Sequence, residues 1–279
     1  MLYLNFNGAI IRADKKIITA DNRGLRYGDG IFETMKLVDG ILPLAELHFE
    51  RLWQGIELMQ FETPAYFNAG YLSAQVVELA KKNNHHRNAR IRIMIFRSDG
   101  GLYDPQNMVV NYTIQSWELP SGPPSLNENG LLLDIYPDAR KTFDSFSHLK
   151  SNNYLPYLMA ALYAKSNRLN DCFVLNANGN ICDSTIANVF IVKDQLLFTP
   201  SLTEGAVGGV MRKYLLGQFP AAGFLAHEKI LGLYDIREAD EIFLTNAVQG
   251  LKWVGKFRDN SYSNTISTKI FNTIVRNIF

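Results

Sequence analysis

The order of apolar and polar positions along the chain predicts a mixture of strands and helices. YLNFNGAII alternates up to a charged turn at Asp14–Lys16, which predicts an edge or hairpin strand. GIFETMKLVDGILPL reads as two strands joined by the turn Asp39-Gly40. In AELHFERLWQGIELM, Leu47, Leu52, Ile56 and Leu58 recur near helical spacing, predicting a helix from about Pro43 to Met59. FNAGYLSAQVVELAKKNN is a second helix, ending in Lys and Asn. RNARIRIMIFR and MVVNYTIQSWEL are strands by alternation. After SWELPSGPPSLNENG, GLLLDIYPDARK predicts a strand. SNNYLPYLMAALYAKSNRLN predicts a long amphipathic helix, with Leu155, Leu158, Met159 and Leu162 on one side. Pro156 falls in its first two turns, where a missing donor is tolerated. DCFVLNA, ANVFIVKD and QLLFTP read as short strands, VGGVMRKYLLGQF as a helix opened by glycines, and TISTKIFNTIVRNIF as a closing helix.

SWELPSGPPSLNENG holds three of the ten prolines and shifts the composition, which marks it as a connector. The expected organisation is α+β: an N-terminal α+β domain over 1–117, a linker over 118–126, and a strand-rich C-terminal domain over 127–279. No internal repeat is visible.

Composition narrows the class further. With 28 basic and 27 acidic residues in 279, the net charge of +1 gives no electrostatic footprint for nucleic acid or an anionic membrane. The five His are scattered, so no metal site is expected. Cys172 and Cys182 lack metal-site spacing and read as reduced, buried thiols. The N-terminus has no signal-peptide pattern, and the apolar runs are far shorter than the ~20 residues of a spanning helix. A cytoplasmic protein is the default expectation.

Four separated features carry candidate chemistry. Lys150, in SHLKSNNYLPYL, lies at the end of a short strand-like stretch just before a helix; burial there would lower its ammonium pKa and make it an amine nucleophile and base. Gly208 and Gly209 precede a helix, so the N–H groups of Gly209, Val210 and Met211 can face an anion. Arg51, three residues after His48 on a helix, suits bidentate phosphate contact. Asp183, followed by Ser184, Thr185 and Asn188, can oppose a pyridine nitrogen and keep it protonated. Taken singly, each has a bland counterpart: a solvated lysine, a glycine turn, a surface arginine, an Asp capping its own turn.

In their order along the chain these features resemble the fold-type IV pyridoxal-phosphate (PLP) enzymes, which include branched-chain and D-amino acid aminotransferases and aminodeoxychorismate lyases. The resemblance runs through ADNRGLRYGDGIFETMKLVDG, HFERL, KSNNYL, DSTIANVFIVKDQLLFTPSLTEGAVGGVMR and EADEIFLTNAVQGLKWV. It implies a smaller N-terminal α/β sandwich and a larger C-terminal pseudo-barrel with flanking helices. It also implies a homodimer, with the pocket between the domains and partly closed by the neighbour. By resemblance Lys150 is the Schiff-base lysine. Arg51, Val210 and Met211 hold the cofactor phosphate, with Asn246 and Ala247 on a second phosphate-side loop; Gly209 and Asn188 belong to the same cofactor set. Asp183 falls where the family places a glutamate, an arm one methylene longer, and Ser184 replaces a common glycine.

The asparagine three residues after Lys150 resembles the D-amino acid aminotransferase and lyase branches, as does Asn246-Ala247 the lyase branch. FRSDGGLYDP resembles a lyase loop that carries two arginines, of which only Arg97 is present; Leu102 and Tyr103 occupy the shortened loop. Arg97, Arg26 and Tyr27 are candidates for a substrate carboxylate, and Phe32, Thr34 and Tyr103 for the pocket. The resemblance implies transamination from a small or branched amino acid to a 2-keto acid. The alternatives are release of pyruvate and 4-aminobenzoate from aminodeoxychorismate, and a non-catalytic PLP-binding or interaction protein on the same scaffold.

Overall fold

The computed structural model describes residues 1–279. The chain forms two compact units, Met1–Gly122 with Lys150–Asn153, and Pro123–Leu149 with Tyr154–Phe279.

The first unit contains β1 (Tyr3–Phe6), β2 (Ala9–Arg12), α1 (Arg23–Tyr27), β3 (Gly30–Val38), α2 (Ala45–Leu58), α3 (Ala69–Lys82), β4 (Asn88–Phe96) and β5 (Asn111–Glu118). Its antiparallel sheet has the order β2-β1-β5-β4-β3. β3 and β4 pair without interruption from Gly30↔Phe96 to Val38↔Asn88. Strict alternation sorts the side chains into two faces. Ile31, Met35 and Leu37, with Ile91, Ile93 and Ile95, face the core that α2 and α3 close with Phe49, Leu52, Ile56, Leu72, Val76 and Leu79. Truncating a fully buried Leu72 to Ala in such a core costs about 2–5 kcal/mol. Phe32, Thr34 and Lys36, beside Arg92 and Arg90, occupy the opposite face. After Val38 the chain makes only an isolated bridge to Ile41, not the expected second strand, because Pro43 and Leu44 already lead into α2.

The second unit contains β6 (Leu131–Lys141), α4 (Leu155–Ser166), β7 (Asp171–Asn176), β8 (Ile181–Ser184), β9 (Asn188–Lys193), β10 (Leu196–Pro200), α5 (Val210–Gln218), β11 (Ala226–Lys229), α6 (Leu233–Glu238), β12 (Glu241–Asn246), β13 (Gly250–Phe257), β14 (Asn260–Ser261) and α7 (Thr265–Thr273). The sheet order is β11-β10-β9-β12-β13-β6-β7-β8, with β14 paired to β13. The sheet curls, so that β8 also packs against β9 and β10. β7 is buried along its whole length, which explains its nearly unbroken apolar run. One face packs Phe173, Val189, Ile191, Ile242, Leu244 and Val254 together. On the other, Phe190 and Phe243 stack at 5.0 Å between ring centroids, and Phe219, the residue that ends α5, meets Phe190 edge-on.

Helix α4 corrects the face read from its large apolar residues. Leu155, Leu158, Met159 and Leu162 are exposed, while Ala160 and Ala164 are buried against Tyr136, Cys172 and Val174. The helix is apolar on nearly every side, and its small residues are the ones that allow close approach to β6 and β7. No helix of the protein is long and apolar enough to cross a membrane.

Candidate functional site

Lys150 is carried by the first sheet. The Phe32 N–H donates to the Lys150 carbonyl at 2.9 Å, and the Asn152 N–H donates to the Gly30 carbonyl at 2.9 Å. Ile31 and Ser151 form the bridge between them. No strand leads directly into Lys150, contrary to the expectation; β6 ends at Lys141, residues 142–149 form no strand, and rigidity comes from this clip onto β3. The Lys150 ammonium lies 4.6 Å from the Phe32 ring centroid, a cation–π distance. The same ring carries the Arg92 guanidinium at 4.1 Å. Arg92 pairs in register with Thr34. Nε and Nη2 of Arg92 and Oγ1 of Thr34 are buried without a hydrogen-bond partner. Each such orphan costs about 1–3 kcal/mol, and two donors with a hydroxyl on one strand pair make a place for an anionic oxygen. Arg92 was not among the sequence candidates.

Arg51 is oriented by a buried carboxylate that the sequence reading also passed over. Its Nε and Nη2 donate to Oε1 and Oε2 of Glu33 at 2.7 and 2.6 Å. His48 Nδ1 lies 2.7 Å from Glu33 Oε2. Burial pushes the Glu33 carboxyl up, but the Arg51 charge and the hydrogen bonds from His48 and Arg51 outweigh it and hold the group down to about 2. The ionised carboxylate only accepts, so Nδ1 of His48 carries the proton. The signal was present in the alternation: Glu33 falls on the inward face, between Ile31 and Met35, where a charge requires a partner.

Arg97 lies in the same unit, but its guanidinium is occupied. Nε donates to Asp29 Oδ1 at 3.1 Å, Nη2 to the Met59 carbonyl and Nη1 to the Gln60 carbonyl, with the Phe61 ring 4.3 Å away. Asp29 holds Arg23 on its other oxygen at 2.9 Å, and Arg23 reaches the carbonyls of Gly100 and Leu102. Arg23, Asp29 and Arg97 therefore fix the loop that presents Tyr103. That residue is 90% exposed and packs on Tyr27 at 5.7 Å between centroids. Arg26 pairs with Asp21 at 3.7 Å and covers the Tyr27 ring.

In the second unit Asp183 is 2% exposed. Its Oδ1 accepts from Asn188 Nδ2 at 2.9 Å, and Oδ2 accepts from Tyr157 Oη at 2.7 Å and the Val207 N–H at 3.0 Å. Asn188 also donates to the Val207 carbonyl at 2.8 Å, which ties the loop before α5 to β9. Gly209 is required where that loop meets Asn188: a Cβ on it would lie 1.7 Å from Asn188 Oδ1. α5 then opens at Val210, so the amides of Val210 and Met211 have no acceptor one turn back in the helix. A bare helix N-terminus thus adjoins the loop that donates to a buried carboxylate.

Asn246 closes the turn after β12. Its Oδ1 accepts from the N–H groups of Val248 and Gln249 at 3.0 and 2.8 Å, so it shapes the Asn246-Ala247 loop through its side chain. A cavity of about 250 Å³ in this unit is lined by Asn246, Gln249, Ile186, Asp171 and Lys252, among others.

The α+β fold is that of the fold-type IV aminotransferases: over 99% of this chain and 95% of the other it superposes on the branched-chain aminotransferase from Thermoproteus uzoniensis, solved with norvaline, with a TM-score of 0.87 at 21% identity. An aminotransferase from Brucella abortus, solved with PLP, matches with a TM-score of 0.82 at 22% identity over 96% and 95% of the two chains. In sequence, an aminodeoxychorismate lyase of Bacillus subtilis is 28% identical over 278 residues, 95% of this chain and 89% of its own. The pattern of the amino-transferase class IV family matches residues 30–256, and the chain belongs to that family of enzymes.

Proposed function

We propose that the protein is a PLP-dependent aminotransferase that moves the amino group of a small or branched amino acid to a 2-keto acid, acting in the cytoplasm as a homodimer. The observation that carries this reading is the clip of Lys150 onto β3, which gives one primary amine a fixed mounting within a class IV chain. The side chains and backbone fit the cofactor: a bare Gly209 and open amides at Val210 and Met211 suit a phosphate, and a buried carboxylate at Asp183 suits a ring nitrogen.

In this reading Lys150 is the residue that would hold the cofactor, and its amine would serve as the base for the proton on the substrate α-carbon. In the first unit Arg51, held by Glu33, is a phosphate ligand in this reading; in the second unit the amides of Val210 and Met211 and the loop amide of Ala247 are suited to the same group, with Asn246 fixing that loop. Asn188 keeps Asp183 in place. When bound, the cofactor supplies an electron sink for the α-carbon. Thr34 and Arg92 receive the substrate carboxylate, while Phe32, Tyr27 and Tyr103 shape the pocket. Arg97, taken up by Asp29 and two carbonyls, acts on loop position rather than on substrate.

Two features favour a second reading, aminodeoxychorismate lyase: the Asn246-Ala247 loop and the asparagine three residues after Lys150. Both activities need the same first steps at Lys150, so one experiment separates them. Purified protein supplied with PLP is assayed with amino donors plus 2-oxoglutarate, and in parallel with aminodeoxychorismate. Keto-acid formation without 4-aminobenzoate release is the expected result. Release of 4-aminobenzoate and pyruvate from aminodeoxychorismate, with no keto acid formed from the amino donors, establishes the lyase instead, and the absence of product in both assays overturns both readings.

A further inference from the structure

The Asp183 carboxylate has a partner that no catalytic assignment uses. The Lys141 ammonium lies 3.5 Å from Asp183 Oδ2 and donates to the Ser147 carbonyl at 2.9 Å. Lys141 is the last residue of β6 and Asp183 lies on β8; β7 separates the two strands, so the lysine spans one strand to reach the carboxylate. Its side chain is 11% exposed, and its ammonium is 5.1 Å from the Tyr157 ring centroid. Tyr157 in turn donates to the same Oδ2.

A carboxylate oxygen accepts about two hydrogen bonds. Oδ2 is filled by Tyr157 and the Val207 N–H and is faced by the Lys141 cation as well; Oδ1 accepts only from Asn188. The remaining capacity of this carboxylate is therefore on Oδ1. We infer that Lys141 is a positioning residue for Asp183: it fixes Oδ2 and balances its charge, so that the acid opposing the cofactor's ring nitrogen acts through Oδ1 as one half of a neutral pair. This inference rests on the assignment of Asp183 proposed above.

The other ionisable groups nearby do not carry the effect. Burial, then the Asp183 charge, pushes the Tyr157 hydroxyl and the Cys182 thiol well up, so both stay neutral. Glu204, which faces Cys182, is engaged by Asn176 and Asn180. Lys141 is thus the cation that offsets Asp183.

A nearby cation makes any protonated group harder to protonate. Removing the Lys141 charge should therefore raise the pH at which the visible band of the lysine-bound cofactor titrates. The test is a pH titration of that band in PLP-loaded wild type, Lys141→Met and Lys141→Arg. The Met variant is expected to titrate about one pH unit higher, and the Arg variant to stay with wild type. Lys141→Gln, which can still donate to the Ser147 carbonyl, serves where the Met variant fails to fold. An unchanged midpoint in a folded, loaded neutral variant overturns the inference alone, since a packing role would move the melting temperature and not the midpoint. A wild type that never develops the band overturns the cofactor assignment, and this inference with it.

Discussion

Glu33 and Arg51 form a two-point ion pair inside the first unit, Nε to Oε1 at 2.7 Å and Nη2 to Oε2 at 2.6 Å, with the carboxylate 1% exposed. The pair sets the plane of the guanidinium, so the orientation of Arg51 is inherited from strand β3 rather than from its own helix. Glu33→Gln keeps the shape and removes the charge. The expected outcome is weaker cofactor binding, by about tenfold, and a stability loss on the order of 3 kcal/mol at pH 7, read by PLP titration and chemical denaturation. An unaltered cofactor affinity would disconnect Arg51 from the phosphate.

The same pair predicts an acid limb of stability. The folded Glu33 carboxyl is lowered to about 2 from an ordinary value of 4.5. Its contribution is present above the unfolded value and is lost as pH falls from about 4.5 toward 2. Denaturation curves of wild type should lose stability across that window, and Glu33→Gln should lose measurably less there.

Gly209→Ala is expected to be damaging beyond its size. The new Cβ meets Asn188 Oδ1 at 1.7 Å, and Asn188 must leave either Asp183 or the Val207 carbonyl. A destabilisation of about 2 kcal/mol and a cofactor affinity reduced tenfold or more are expected, by thermal melting and PLP titration. A variant that melts and loads like wild type would show that the loop yields freely.

Arg92 and Arg97 should separate cleanly in kinetics. Arg92→Leu removes a guanidinium with two partnerless buried nitrogens, so KM for the amino acid should rise about tenfold or more while folding is preserved or improved. Arg97→Leu strips a partner from Asp29 and two carbonyls, so the melting temperature should fall before KM changes. The reverse pattern would return the substrate role to Arg97.

Cys172 and Cys182 are both buried and unpaired. Burial, then the Asp171 charge, pushes the Cys172 thiol up to about 12, and burial raises Cys182 as well. Neither should react with a thiol reagent at pH 8 in the native protein, and both should react on unfolding. Rapid native labelling at either position would contradict the packing of β7 or β8.

Much of this architecture was legible because period-two alternation in RNARIRIMIFR and FETMKLV has one physical meaning, a sheet with one buried face. The same alternation places Glu33 inside and Arg92 outside, yet it does not say which charges find partners. That depends on residues distant in sequence: Arg51 comes 18 positions after Glu33, and Asp29 lies 68 from Arg97. Arg97 looked available in the sequence for that reason. The packed side of helix α4 is not legible for a different cause: where nearly every position is apolar, periodicity does not identify the packed side, and the small residues Ala160 and Ala164 decide it.

The backbone clip at residues 150–153 also bears on how such a protein can be cut and recombined. The amine is encoded downstream of Gly122 yet takes its place from strand β3 upstream. Exchanging either half for that of a distant relative would transplant the lysine without the groove of hydrogen bonds that seats it. Swaps that carry β3 and the 150–153 segment together are the ones expected to retain a functional amine, so inheritance of the two is coupled although they are far apart along the gene.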